Sequence, residues 1–405
     1  MKQRYLLVLF LAWLGWVFDI MDTALFNFAK IPMLTQMLGE ARYKEIGTAL
    51  EGQIQTVFLV GWSLGGLIFG ILADRWGRTQ VLITTILMYS LFTGLTGFCQ
   101  TPEQVMIARF ITALGIGGEW AAGAALVAES VPANFRARAS GFLQSAAAFG
   151  PWFAAIANLS VPAGQWQALF FVGAIPALLC FFFRFKSQNE EAAPKPDSGK
   201  FSDLFASADQ RRRTLSAVLL GVVGVTGAGI LPFWLPNLIK QAGAGLAPEA
   251  SKQFLSLNTF TIHIGTLIGV LLFPLIADRI GRRPAFAVFF IGAPVSAYLA
   301  LSGTPDLNRL LWLLPVATFF SIGLSSGFVL YFPELFPSRL RATGSGLAYN
   351  VGRVVSAPVP ALMGALMSSN QGNVALVVVV AGGIYVIGLL ALIWAPETKG
   401  LPLPD

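Results

Sequence analysis

LADRWGR at residues 72–78 returns as IADRIGR at residues 276–282, an offset of 204. A second set keeps nearly the same interval. Glu129, Pro132, Arg136, Ala137, Ser140 and Gly141 return as Glu334, Pro337, Arg341, Ala342, Ser345 and Gly346, at an offset of 205. Two independent signatures at one spacing mark a duplication, so the chain is one unit written twice.

What is duplicated is a set of apolar helices. Apolar residues make up 55% of the 405 positions and charged residues 12%, about half the charge of a soluble domain. Apolar runs long enough to cross a bilayer recur throughout. The pattern predicts an all-α membrane protein of twelve transmembrane helices in two pseudo-symmetric six-helix bundles. The expected spans are 5–29, 53–73, 79–99, 104–128, 138–160, 166–186, 213–239, 254–277, 284–302, 308–332, 341–367 and 373–395. The polar, Pro- and Ser-rich stretch 187–212 reads as a linker between an N-terminal half, 1–186, and a C-terminal half, 213–405. The segment 30–52 reads as the longest external loop.

The net charge of +7 would suit a nucleic-acid partner, but its placement argues otherwise. With Met1 inside and alternating spans, the basic residues of 2–4, 75–78, 136–138, 184–213, 279–283, 339–341 and Lys399 lie on one side. Only Lys30, Arg42, Lys44, Lys240, Lys252 and Arg309 fall on the other. That asymmetry is the positive-inside rule, and it places both termini in the cytoplasm. Asp19 and Asp22 interrupt the first apolar run and no small-x-small site follows it, so it reads as a retained helix rather than a signal peptide. Cys99 and Cys180 fall in different spans, which disfavours a structural disulfide.

DRxGR after the second span, its echo after the eighth and a central linker resemble the major facilitator superfamily over the whole chain. WVFDIMDTALFNFA in span 1, RFITALGIGGEWAAGAALVAESVPANFRARASG around span 4 and ELFPSRLRATGSGLAYNVGR entering span 11 are similar to the bacterial metabolite–, aromatic-acid– and sialate–proton symporters. The resemblance implies a multi-pass transporter of the bacterial inner membrane that works as a monomer by alternating access. It implies protons as the coupling ion and no other cofactor.

Duplication also separates scaffold from chemistry, because a charge serving mechanics common to both halves is written twice. Asp74, Arg75 and Arg78 recur as Asp278, Arg279 and Arg282, and Glu129 and Arg136 as Glu334 and Arg341. The resemblance implies a cytoplasmic gate for these; helix capping and topology are the plainer alternative. Asp19, Asp22, Arg109, Glu119, His263 and Arg353 have no echo. A charge at the bilayer centre costs at least about 2.5–3.5 kcal/mol, so such groups face an interior and carry function.

Arg353 is the candidate anchor for a carboxylate, since a guanidinium stays charged and grips two oxygens at once. Asn350, one turn earlier, would add a directional hydrogen bond. Trp120 and the sole histidine, His263, are further candidates for the pocket, though tryptophans and lone histidines in helices more often simply pack. Glu119, Asp22 and Asp19 are the proton-coupling candidates, because a carboxyl in a low-dielectric site titrates nearer neutrality. Arg109 lies about 30 Å along its helix from Glu129 and reads as near the outer surface, where snorkelling to headgroups or lining an outer vestibule is as open as coupling.

Other classes find no support. No GxxxxGK[ST] loop is present for nucleotide, and the glycines of GIGGEW read as close helix packing. One histidine and two distant cysteines supply neither a metal cluster nor a nucleophile–base set, so an enzyme is excluded. The expected function is proton-coupled uptake of a small organic anion: a mono- or dicarboxylate, an aromatic acid or an acidic sugar. A sugar or polyol carrier and a drug-exporting antiporter are the rivals, and neither needs Arg353.

Overall fold

The computed structural model describes residues 2–76, 78–130, 142–186, 201–302, 306–337, 340–369, 373–401 and 404. Among these, regular structure is helical throughout, as the membrane demands: a helix satisfies its own backbone hydrogen bonds where no water can. The helices are α1 Lys2–Leu38, α2 Glu40–Trp76, α3 Arg78–Thr96, α4 Pro102–Ser130, α5 Ala146–Ser160, α6 Trp166–Lys186 and α7 Ala208–Ala242. There follow α8 Pro248–Ile280, α9 Arg282–Leu301, α10 Leu307–Leu335, α11 Arg341–Ser356, α12 Val359–Ser369, α13 Val374–Ala381 and α14 Ile384–Trp394.

Every one of the twelve expected spans holds helix. The last two are broken, at Ala357–Pro358 and at Gly382–Gly383. Pro358 explains the first break, since the residue before a proline is pushed out of the helical region and Pro358 itself donates no hydrogen bond. Eight spans among the described residues are long and apolar enough to cross a membrane, with α11–α12 and α13–α14 counted as one each.

The segment 30–52 is not the loop that its polar residues suggested. α1 runs to Leu38 and α2 starts at Glu40, joined by Gly39 alone at φ +79°. That left-handed conformation is open to glycine, and the Gly39 N–H caps the Thr35 carbonyl at 2.9 Å. The stretch read as a linker is described from Phe201 onward. There a 3₁₀ turn, Phe201–Phe205, buries Leu204, whose carbonyl accepts from Thr214 Oγ1 at 3.0 Å.

Packing groups the chain into two compact units. One comprises Met1–Pro194, Phe233–Phe260 and Ala357–Val374; the other comprises Lys195–Pro232, Thr261–Ser356 and Ala375–Asp405. In the first, α4 lies hard against α2 and α3. A Cβ on Gly117 would stand 2.1 Å from the Trp62 carbonyl oxygen, and one on Gly115 would stand 2.8 Å from that of Thr85. The GIGGEW glycines are therefore packing glycines. In the same unit α12 lies on α2, where Gly52 and Gly364 admit the opposing backbone.

The second unit is built on an aromatic core: Phe273, Phe286, Phe289, Phe290, Phe328 and Phe332 are all buried. Their rings meet at 4.8–5.8 Å in stacked and edge-on pairs. Gly224 of α7 makes room for Phe328, and Gly227 for Tyr385. Both glycines serve close packing.

Candidate functional site

The charges that lack an echo fall into two constellations, one in each packed unit. In the first, Asp22 of α1 and Arg109 of α4 form an ion pair of 2.7 Å with both side chains 1% exposed. Thr93 of α3 donates to the other carboxylate oxygen, Oδ1, at 2.7 Å. One aspartate therefore ties three helices together through both of its oxygens. The guanidinium also lies 4.9 Å from the Phe26 ring centroid and 4.4 Å from that of Phe58. The ring faces stabilise its charge where water cannot.

Of the readings left open for Arg109, burial excludes snorkelling to headgroups. A rise of 1.5 Å per residue gives height along a helix but not azimuth. Arg109 does stand at the height of Asp22, and it turns inward to that carboxylate rather than outward to headgroups. Asp19 of α1 and Glu119 of α4 are buried as well. Their helices are fixed by the glycine contacts of α4 and by the packing of α1 on α5 and α6.

The second constellation belongs to α8 and α11. Arg353 is buried, with its guanidinium carbon 5.6 Å from the ring of Tyr349, one turn earlier on α11. Asn350 lies beside it, and its buried Oδ1 accepts no hydrogen bond from any described residue. Thr226 of α7 and Ser356 of α11 share a hydroxyl pair at 2.6 Å, holding α11 in place just before its break. His263 is buried on α8.

Three of the repeated charges in the second unit, Asp278, Arg282 and Glu334, form an ion-pair cluster. Arg282 grips Glu334 of α10 with Nε at 3.2 Å and Nη2 at 2.9 Å, and reaches Asp278 with Nη1 at 2.7 Å. Arg341 instead donates to the carbonyls of Pro333 and Pro404, and Arg279 is exposed. Glu397, which the sequence reading passed over, takes the backbone N–H groups of Arg282, Arg283, Thr398 and Lys399 and so caps the start of α9. In the first half, Arg136 and the side chains of Asp74, Arg75, Arg78, Glu129 and Trp120 lie outside the described residues.

A buried charge pair also escaped the sequence reading. Lys30 and Glu51, assigned there to an external loop, are both fully buried and 3.0 Å apart. The signal was available: two opposite charges near the ends of adjacent apolar spans, either side of a single glycine. A hydropathy window stops at such charges instead of pairing them.

The family model of the Major Facilitator Superfamily matches residues 12–360. A protein of Cupriavidus pinatubonensis named "Probable 4-methylmuconolactone transporter" is 31% identical over 96% of this chain and 90% of its own. The cis,cis-muconate transport protein of Acinetobacter baylyi is 28% identical over 92% of this chain and 91% of its own. Among solved structures, a D-xylose–proton symporter superposes with a TM-score of 0.76 at 19% identity, covering 98% of this chain and 99% of that one, a likeness of fold alone.

Proposed function

The chain belongs to the Major Facilitator Superfamily and is a multi-pass transporter of the inner membrane, not an enzyme; from that premise we propose that it takes up a small organic anion together with protons. The observation that carries this reading is the buried Asp22–Arg109 pair, present in one half only.

Arg109 keeps its charge at any working pH, so the state of Asp22 decides whether the pair is neutral or cationic. With Asp22 ionised, α1, α3 and α4 are held together. Protonation releases Arg109 and the Thr93 hydroxyl and loosens α1 from its neighbours. A proton arriving there therefore changes how tightly these helices pack, which is the linkage a symporter needs. Asp19, one turn before Asp22 on α1, and Glu119, buried further along α4 from Arg109, are the groups that would relay the proton.

Substrate recognition is assigned to the other half. Arg353 supplies the permanent charge for a carboxylate and Asn350 a neutral hydrogen-bonding partner, while Tyr349 and His263 line the same helices. The muconate transported by one relative is an organic anion of the expected class. By the distribution of basic residues, both termini face the cytoplasm, and the α1–α2, α5–α6 and α7–α8 turns face outside.

The test separates coupling from binding. In proteoliposomes, Asp22→Asn is expected to lose accumulation driven by an inward proton gradient while retaining counterflow exchange of the same substrate. Accumulation at the unmodified rate in that variant contradicts the assignment of Asp22.

A further inference from the structure

Residues 233–242 of α7 belong to the same packed unit as α1 and α2. At that meeting point the Lys30 ammonium donates to the Phe233 carbonyl at 2.6 Å and lies 3.7 Å from the Phe233 ring centroid. Three donors converge on the Glu51 carboxylate. Tyr43 Oη reaches Oε1 at 2.5 Å, while Lys30 Nζ and Asn237 Nδ2 each reach Oε2 at 3.0 Å. No water is needed to satisfy the carboxylate, and both charges are wholly buried.

We propose that Glu51 is a second proton-linked carboxylate of the transport cycle, which fastens α1 and α2 to α7 when ionised and releases them when protonated. An ionised carboxylate only accepts, and it meets two donor-only groups here, the Lys30 ammonium and the Asn237 amide nitrogen, beside the Tyr43 hydroxyl. A protonated one can give its O–H only to the Tyr43 oxygen and leaves Lys30 buried without its counter-charge, an arrangement strongly disfavoured in a closed interior. Among the described residues Glu51 is the acidic partner of Lys30, and the further carboxylates of the packed elements, Glu45 of α2 and Glu103 of α4, are exposed. On α2 itself Glu40 lies near Tyr43 rather than Lys30, and α7 adds the cation Lys240, 4.5 Å from the Tyr43 ring centroid. α4, which also packs on α2, brings Arg109, already engaged by Asp22. α12 carries no charged side chain.

On the topology proposed above, this cluster lies at the outer end of the helices, so the proton comes from external water and returns to it. Glu51 therefore gates the cycle without adding to the protons carried inward. Acid outside favours opening where substrate must load. Two further contacts of the same unit would part in that opening. Asn158 of α5 donates to Ser256 of α8 at 3.0 Å, and Thr48 of α2 shares a hydroxyl pair with Ser368 of α12 at 2.8 Å.

The inference rests on the transport reading only in requiring that this face open, and its test uses neither substrate nor gradient, so the two fail separately. Spin labels at Gln165→Cys and Leu246→Cys, both exposed in the α5–α6 and α7–α8 turns, go into a Cys99→Ser, Cys180→Ser background in nanodiscs. Pulsed dipolar distances are then read from pH 8 to pH 5.5. The labelled parent is expected to show a short distance at pH 8 and a growing longer one in acid. Glu51→Gln is expected to raise the long-to-short ratio roughly tenfold at pH 8 and to abolish its pH dependence. Should Glu51→Gln not fold, Asn237→Ala is expected to raise that ratio several-fold while keeping the pH dependence. A parent without pH dependence, a Glu51→Gln protein that follows the parent, or an Asn237→Ala protein with the parent's distances each overturns the proposal.

Discussion

At the scale of single residues, the account turns on two arginines with different tasks. Arg109 has its carboxylate built in at 2.7 Å, whereas Arg353 is assigned one that arrives with the substrate. Arg353→Lys keeps the charge but loses the planar fork, and Arg353→Gln loses both. Both variants are expected to reach the membrane and to fall at least about tenfold in kcat/KM for uptake, the loss of one bidentate charge-assisted contact. Uptake assays normalised to protein in the membrane check this, and a fully active Arg353→Gln removes the carboxylate reading. That the unechoed charges face an interior was legible from the repeat: Asp19, Asp22, Arg109, Glu119, His263 and Arg353 are all buried. Who pairs with whom was not. Pairing depends on the azimuth of one helix about another, and one sequence without partners in view fixes only the order of residues along each helix.

At the scale of elements, close approach of backbones and the capping of helix ends carry the predictions. Gly117→Ala would place a methyl 2.1 Å from the Trp62 carbonyl oxygen, where backbone cannot yield cheaply. Overpacking of this kind costs about 1–3 kcal/mol, enough to lower the melting temperature by several degrees. Gly70→Ala, with nothing within 4 Å of the added Cβ, is the control expected to melt like the parent. Glu397 makes a prediction about pH. Partial burial would raise its pKa, but four backbone N–H donors outweigh burial and hold the carboxyl below its ordinary 4.5. A carboxyl depressed in the folded state stabilises above its unfolded pKa and loses that contribution as pH falls through the folded value. Melting temperature should therefore drop on acidification below about pH 4.5, and Glu397→Gln should show a lower plateau and a shallower acid limb. An identical acid limb in the variant would remove Glu397 from the account.

The same scale shows why the sequence located helices well and their ends poorly. A span of apolar residues names itself, yet α1 and α2 each extend well past the hydropathy boundary. Lys30 and Glu51 look like loop residues singly and become interior residues only as a pair. The break at Pro358 was foreseeable from the proline, and the smaller break at Gly382–Gly383 from the paired glycines.

For the whole molecule, the duplication that opened the argument also sets its limits. It foretold the all-helical membrane fold and the superfamily, and those follow from patterns written twice. The proposed chemistry rests on what was written once: the Asp22–Arg109 pair, the Lys30–Glu51 cluster and Arg353. Packing does not follow the halves of the sequence, because residues 233–260 and 357–374 of the second half lie in one compact unit with the first. A duplication fixes where the units begin in sequence and leaves their contacts open. Proton-coupled uptake of an organic anion is tested most directly by an internal pH dye in proteoliposomes held without a gradient. Lactate, pyruvate, succinate, benzoate, cis,cis-muconate, sialate, galactonate and neutral sugars are added outside in turn, and protein-free liposomes are subtracted for passive entry of undissociated acid. The account predicts acidification above that control with at least one of the acids and none with the sugars. Protein-dependent transport of a sugar or a cationic dye, with no acid moving protons, would contradict it.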